Sequence, residues 1–297
     1  MNLRSPDAAG VNSGGGTEDK PIAPVEANAL HPCVTLSGLS KTYGVPGRRE
    51  IVALSNIDLG IQPGQFVCVV GPSGCGKSTL LKILAGLESQ SDGSVDFAFP
   101  ASERPLRSMV FQEQGVFPWM TVLNNAAYGL TVRGIPKKER QEIARGYLET
   151  LDLGRFADAY PRSLSGGMKQ RVNIARAFAN DPELLLMDEP MANLDEYTKL
   201  IVQDDLLRLW EEHRKTVVFV THSLDEAIVL GDRILVMSSR PGRIVEDIPI
   251  DLARPRRVFE LQSDESFLRL RGHLWEFLKS EIDALRIREA LPQSSKP

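Results

Sequence analysis

Phe66-Val-Cys-Val-Val-Gly-Pro-Ser-Gly-Cys-Gly-Lys-Ser-Thr79 decides the fold. Its first five residues form an apolar, largely β-branched run of strand length, as in a strand buried on both faces. The glycine-rich stretch breaks that strand, and Lys77 to Leu87 resumes with helical spacing. Gly71-Pro-Ser-Gly-Cys-Gly-Lys-Ser-Thr79 therefore sits between a strand and a helix, as a phosphate-cradling loop must. Glycine lets successive backbone N–H groups point inward, and the helix N-terminus adds partial positive charge. Lys77 would reach the β and γ phosphates of ATP or GTP, and Ser78 would hold Mg²⁺. The nucleotide-binding candidates are Gly71, Pro72, Ser73, Gly74, Cys75, Gly76, Lys77, Ser78 and Thr79. A ligand-free glycine-rich turn is the bland alternative, and the ordered strand, Gly76-Lys77-Ser78 and helix weigh against it. Cys75 lies in a positive field that should favour its thiolate, so maleimide should modify it.

Outward from this loop, Leu184 to Met187, Val217 to Val220 and Ile234 to Met237 are further buried-strand runs, separated by helical patterns. That alternation predicts an α/β fold around a largely parallel sheet. More than a hundred residues separate the first two of these strands, too many for one crossover helix. A helical subdomain at about 113–180 is expected there, with Ile135 to Leu151 as one helix. After the turn at Arg240-Pro-Gly-Arg243, Ile244 to Ile250 alternates as an edge strand does. Residues 1 to about 30 carry too little apolar surface to fold, so they read as a disordered tail. Residues 251–297 form an extension in which Ser263 would cap an amphipathic helix. Its apolar face is Phe267, Leu270, Leu274, Phe277, Leu278 and Ile282.

The chain has 297 residues, 42% hydrophobic, which suffices for one α/β core with appendages. A net charge of -4 supplies no bulk electrostatic footprint for nucleic acid, which is not expected as a partner. No apolar run approaches the ~20 residues of a membrane-spanning helix, so any membrane contact should be peripheral. The N-terminus lacks a secretory pattern, which predicts a cytosolic protein. Cys33, Cys68 and Cys75 are too few and too irregularly spaced for a disulfide framework, so they read as reduced thiols.

Two more stretches carry chemistry. Leu184-Leu-Leu-Met-Asp188 ends a strand in a carboxylate, and Glu189 follows. Asp188 would act through the Mg²⁺ shell, and Glu189 would accept a proton from the attacking water or orient it. Leu164-Ser-Gly-Gly-Met-Lys-Gln-Arg171 opens a helix whose face is Met168, Val172, Ala175 and Phe178. This is a second helix terminus able to bind an anion. One nucleotide does not need two cradles, so the second either faces another molecule's nucleotide or serves structure only.

Taken together, these residues resemble the ATP-binding subunit of an ABC transporter over about Val34 to Ile250, with Leu164-Ser-Gly-Gly-Met168 as the signature and Leu186-Met-Asp-Glu-Pro190 as the acidic strand. The resemblance implies the ABC ATPase fold, a phosphate-loop core with an inserted helical subdomain and an antiparallel β edge. It implies that Tyr43 stacks on adenine and that Gln112 senses Mg²⁺ and water. It also implies that Ser165, Gly166 and Gly167 face a second copy's nucleotide, that Asp195 crosses the dimer interface, and that His222 contacts the γ-phosphate. Singly, Tyr43 reads as core, Gln112 as a surface amide and His222 as a strand-end histidine; their order carries the resemblance. Met168 stands where the signature often has Gln, and Asn193 where the loop more often has Ser or Ala.

More narrowly, "FQEQGVFPWMTVLNNAAYGL", "THSLDEA" and "SRPGRIVEDIPIDLARPR" resemble nitrate, sulfonate and taurine importers. That resemblance implies ATP and Mg²⁺ as cofactors, a homodimer at the cytoplasmic face of the inner membrane, membrane permease subunits, and an indirect solute-binding protein. Phe117, Pro118, Trp119 and Met120 would then meet the permease; alternatively Phe117 and Trp119 are core. A soluble ABC ATPase acting on DNA or ribosomes, or an exporter subunit, are the competing readings. The first normally carries a coiled-coil insertion or a second cassette, and here one GKS motif occurs. A non-catalytic regulatory module would lack Glu189 or His222, and both are present.

Overall fold

The computed structural model describes residues 31–44, 50–112 and 115–290, excluding the side chains of residues 280 and 282–290. The expected tail, 1 to about 30, lies outside the described residues, as do the Ile282 side chain and residues 291–297.

The chain opens with β1 (Val34–Tyr43), β2 (Ile51–Ile61), β3 (Phe66–Val70), α1 (Lys77–Ala85), β4 (Asp92–Phe97) and β5 (Arg107–Val110). A mainly helical stretch follows, with α2 (Val122–Ala126), α3 (Tyr128–Val132), α4 (Lys137–Thr150) and α5 (Gly166–Ala179). Next come β6 (Leu184–Asp188), α6 (Glu196–His213), β7 (Thr216–Val220), α7 (Leu224–Leu230), β8 (Arg233–Met237), β9 (Ile244–Pro249), α8 (Val258–Leu261) and α9 (Glu265–Ala290).

The main sheet has the order β5-β6-β7-β3-β8-β9, parallel throughout except for β9, which runs antiparallel to β8 along the edge. Its inner strands β3, β6 and β7 are buried along their whole length, which is why their sequences are continuous apolar runs. Alternation of side chains sorts them between two cores. Phe66, Cys68, Val70, Leu185 and Met187 pack with residues of α5, α6 and α7. Val67, Val69, Leu184 and Leu186 pack with α1 and the first strands. Phe66 meets Trp210 edge to face at 5.5 Å, and burying such rings stabilises the fold by about 1.5–3 kcal/mol each.

A separate antiparallel sheet, β2-β1-β4, lies over the α1 side and was not read from the sequence. Its strands alternate irregularly because β1 is interrupted by register shifts between Leu36 and Thr42.

The extension after β9 is welded to the core. Arg256 is buried and donates to the carbonyls of Ile228, Val229 and Gly231, closing the C-terminus of α7. Burial, with Arg254 nearby, pulls its guanidinium down to about 10. Arg254 pairs with Asp232 and Glu211 and lies over the Trp210 ring. Phe267, Leu274 and Leu278 bury the inner face of α9, with Leu270 and Phe277 half-buried. Ser263 does not cap that helix. Asp264 does, its Oδ1 accepting from the N–H groups of Ser266 and Phe267, while the Ser263 hydroxyl donates back to the Glu260 carbonyl.

Candidate active site

Sheet register brings the candidate residues together. Val110 pairs with Met187, so Gln112 and Glu189 leave neighbouring strands at equal height. Asp188 pairs with Val220, two residues before His222, and Val69, two residues before the phosphate loop begins at Gly71, also pairs with Val220. Gln112, Asp188, Glu189, His222 and Gly71 to Thr79 thus emerge along one sheet edge, where ligands of open parallel sheets bind.

The loop is a fitted cradle. Gly74 and Gly76 have φ of 74° and 108°, conformations that L side chains rarely adopt. A Cβ on Gly76 would meet Leu54 at 2.7 Å and the Ala53 carbonyl at 2.9 Å. Lys77 is folded onto the loop, its Nζ donating to the carbonyls of Gly71 at 2.8 Å and Pro72 at 3.1 Å. The loop's outer wall is Arg240, which donates to the Gly74 carbonyl at 3.2 Å. Sequence reading saw Arg240 only as part of a turn; the cluster Arg-Pro-Gly-Arg gave no sign that this turn braces the loop.

Cys75 departs from expectation. It is buried, and burial pushes its thiol above the usual cysteine value, outweighing the pull of Lys77 toward the thiolate. Maleimide is accordingly expected to leave Cys75 unmodified in the native chain at neutral pH and to label it after denaturation, as read by mass spectrometry. Native labelling within minutes would show that the loop opens. Cys33 and Cys68 are likewise free and buried.

Ser78 donates its hydroxyl to Asp188 Oδ1 at 3.0 Å. Burial, reinforced by neighbouring Glu189, raises the Asp188 carboxyl, while the Ser78 hydrogen bond pulls the other way. No group of three or more His, Cys, Asp or Glu able to hold a metal occurs among the described residues. A hydroxyl and one carboxylate nevertheless suit Mg²⁺, a hard cation that keeps waters and takes further oxygens from substrate phosphates. Glu189 sits at φ 43°, its N–H bonded to the Val220 carbonyl at 2.9 Å. Its Oε2 lies 3.1 Å from His222 Nδ1. Beneath His222, the Thr221 hydroxyl donates both to the buried Glu226 carboxylate and, as acceptor, takes the Ser223 N–H, fixing the turn into α7. Gln112 is exposed, two residues past the end of β5, the strand paired with β6.

Helix α5 begins at Gly166, the helix start that the glycine pair predicts. Ser165 caps α5, its Oγ accepting from the Met168 N–H, and it is exposed, with Gly166 half-buried. Gly167 is different. It is buried, and a Cβ there would come within 2.3 Å of the Thr198 methyl group. Glycine at 167 is therefore required for α5 to pack against α6. Asp195 caps α6, accepting from the Thr198 N–H at 3.0 Å and its hydroxyl at 2.6 Å, and these bonds hold its carboxyl below the usual value. Tyr43 ends β1, partly exposed, with Lys41 Nζ 4.9 Å above its ring.

The ABC transporter family model matches residues 54–192. An uncharacterized ABC transporter ATP-binding protein of Methanocaldococcus jannaschii is 47% identical over 252 residues, covering 83% of this chain and 91% of the relative. The chain belongs to the ABC transporter family. As an ABC ATP-binding cassette it binds ATP and is an ATPase. The nitrate import ATP-binding protein NrtD of Synechocystis is 41% identical, covering 82% of this cassette and 94% of the relative. The aliphatic sulfonates import ATP-binding protein SsuB of Bacillus subtilis is 44% identical, covering 75% and 87%. A solved dimeric ABC transporter cassette, 34% identical, superposes with a TM-score of 0.63 and covers 74% of this chain and all of its own. The ABC fold read from the sequence is thus borne out, including the antiparallel edge strand.

Proposed function

We propose that two copies of this chain form the ATP-driven motor of an importer for a small oxyanion such as nitrate or a sulfonate, bound to the cytoplasmic face of the membrane. The nitrate and sulfonate relatives support the substrate class, and the dimeric cassette supports pairing of two copies. No described helix is long and apolar enough to cross a membrane, so permease subunits would supply the passage, fed by a solute-binding protein.

In this reading Lys77 leaves the Gly71 and Pro72 carbonyls for the β and γ phosphates, and Tyr43 stacks on the adenine. Ser78, Asp188 and Gln112 would hold Mg²⁺, which neutralises charge on the phosphate oxygens. Glu189 takes a proton from water as its oxygen attacks the γ-phosphorus and the bond to the β-phosphate oxygen breaks, releasing ADP and phosphate. His222, hydrogen-bonded to Glu189, orients that carboxylate and faces the γ-phosphate. Ser165 and Gly166 of the second copy close over the same nucleotide, with Asp195 beside them.

The observation that carries the coupling is Trp119, which is 69% exposed. It is no core residue. Its ring stacks at 5.5 Å on Phe117, which is itself fixed by Tyr128 at 4.6 Å and by Arg176 over its face. Asn125 holds the segment from beneath, donating to the carbonyls of Phe117, Met120 and Thr121. A rigid, exposed aromatic on a polar-tethered loop has the makings of an interface anchor. Trp119→Ala is expected to leave the melting temperature and ATP binding of the isolated chain unchanged, and to weaken co-purification with its permease at least tenfold. Undiminished assembly would remove the patch from the interface.

A further inference from the structure

The far part of α9 reaches back to the nucleotide site. Glu281 follows Leu274 and Leu278 at helical spacing, which turns it toward the core, and it is half-buried. Its Oε2 accepts the backbone N–H of Ser239 at 2.9 Å. Ser239 is buried, so this carboxylate is the partner that a desolvated donor needs. The next residue is Arg240, whose guanidinium holds the Gly74 carbonyl of the phosphate loop. The turn to which both belong is stiff. The Ser238 hydroxyl donates to the Pro241 carbonyl at 3.0 Å and accepts from the Arg243 N–H at 3.0 Å. Gly242 donates to the Ala53 carbonyl and accepts from the Ser55 N–H, both of β2, and a Cβ on it would lie 2.1 Å from the Cys75 carbonyl. No side chain fits between turn and loop.

We infer that Glu281 is a positioning residue for ATP binding: it seats the turn at residues 238–243, and the turn, through Arg240, holds the phosphate loop in the shape that takes phosphate. This rests on the reading of that loop as the ATP site. A peptide unit is planar, so a guanidinium that fixes the Gly74 carbonyl fixes the direction of the Cys75 N–H with it. A loop whose peptides are already oriented loses less freedom when nucleotide binds, and the saving appears as affinity. The turn moves as one body because its own hydrogen bonds close it, so a shift at Ser239 is passed on to Arg240 rather than absorbed. Without Glu281 the Ser239 N–H must find water, and the turn reaches it by lifting away from α9. Affinity for ATP is then set in part by the C-terminal extension, far along the chain from the loop it serves.

The test uses the full chain and Mg-ATP, with affinity read by calorimetry and turnover by phosphate release. Glu281→Ala is expected to weaken ATP binding about fivefold and to raise KM to match, with kcat at saturating ATP within about twofold of wild type. Glu281→Gln keeps an acceptor oxygen for the Ser239 N–H and should bind ATP within about twofold of wild type. Arg240 is exposed, so Arg240→Ala leaves the core intact and is expected to weaken ATP binding about tenfold. Because Glu281 acts through Arg240, adding Glu281→Ala to Arg240→Ala should cost less than a further factor of about two. A loss of folding stability alone would lower the melting temperature and show no such dependence on residue 240. Native affinity in Glu281→Ala, equal losses in its alanine and glutamine variants, or a full added loss in the double variant overturns the inference. Native affinity in Arg240→Ala overturns it however well Glu281→Ala folds. Lys77→Ala is the control: undiminished ATP binding there would defeat the reading of the loop itself.

Discussion

Glu189→Gln is expected to bind ATP with near-native affinity and to turn it over about a thousandfold more slowly, the scale on which a positioned general base acts. The amide keeps the shape of the side chain but cannot take the proton. The backbone is unusually constrained here, with Glu189 at φ 43° and its N–H tied to the Val220 carbonyl, so the substituted side chain should stay in place beside His222. Steady-state phosphate release, set against equilibrium nucleotide binding, separates the two effects. Hydrolysis within threefold of wild type would rule Glu189 out as the base.

Gly166→Asp is expected to abolish hydrolysis while leaving the copy's own phosphate loop able to bind ATP, since the new carboxylate would sit against the γ-phosphate held by the other copy. Position 166 is half-buried at the first turn of α5, next to the exposed Ser165 cap, so a larger side chain there need not break the core. The decisive form of the experiment mixes two inactive proteins. In a dimer of Gly166→Asp with Glu189→Gln, one site combines both lesions and the other has neither. Activity should reappear on mixing, provided one intact site suffices for turnover. Recovery when each variant is paired with wild type, but none in the purified mixed dimer, would count against a shared site.

What the sequence disclosed follows from how local each signal is. The inner strands β3, β6 and β7 are buried on both faces, so each spells out its own burial in five consecutive residues. The phosphate loop was equally legible, because glycine, lysine and serine act there through adjacent backbone. The sheet β2-β1-β4 was not, since bulges in β1 break the alternation that would announce it. Cys75 was misread because sequence showed the positive charge of Lys77 and concealed the burial that outweighs it. The packing role of Gly167 was hidden because Thr198, which presses against it, is remote in sequence. Arg240 was invisible as a brace for the loop because its partner, Gly74, is remote in sequence.

The strand order has a consequence for how the protein is made. β3 lies at the centre of the sheet, between β7 and β8, yet those neighbours come off the ribosome roughly 150 residues later, a wait of about 8–30 s at ordinary synthesis rates. During that interval Phe66-Val-Cys-Val-Val70 is an apolar strand with both edges open, a template for wrong pairing. Because Asp188, Glu189 and His222 are also still unmade, nucleotide cannot rescue the nascent chain by binding it early. Productive folding of this cassette should therefore depend on a holding chaperone, or on slowed translation, through the middle third of the chain.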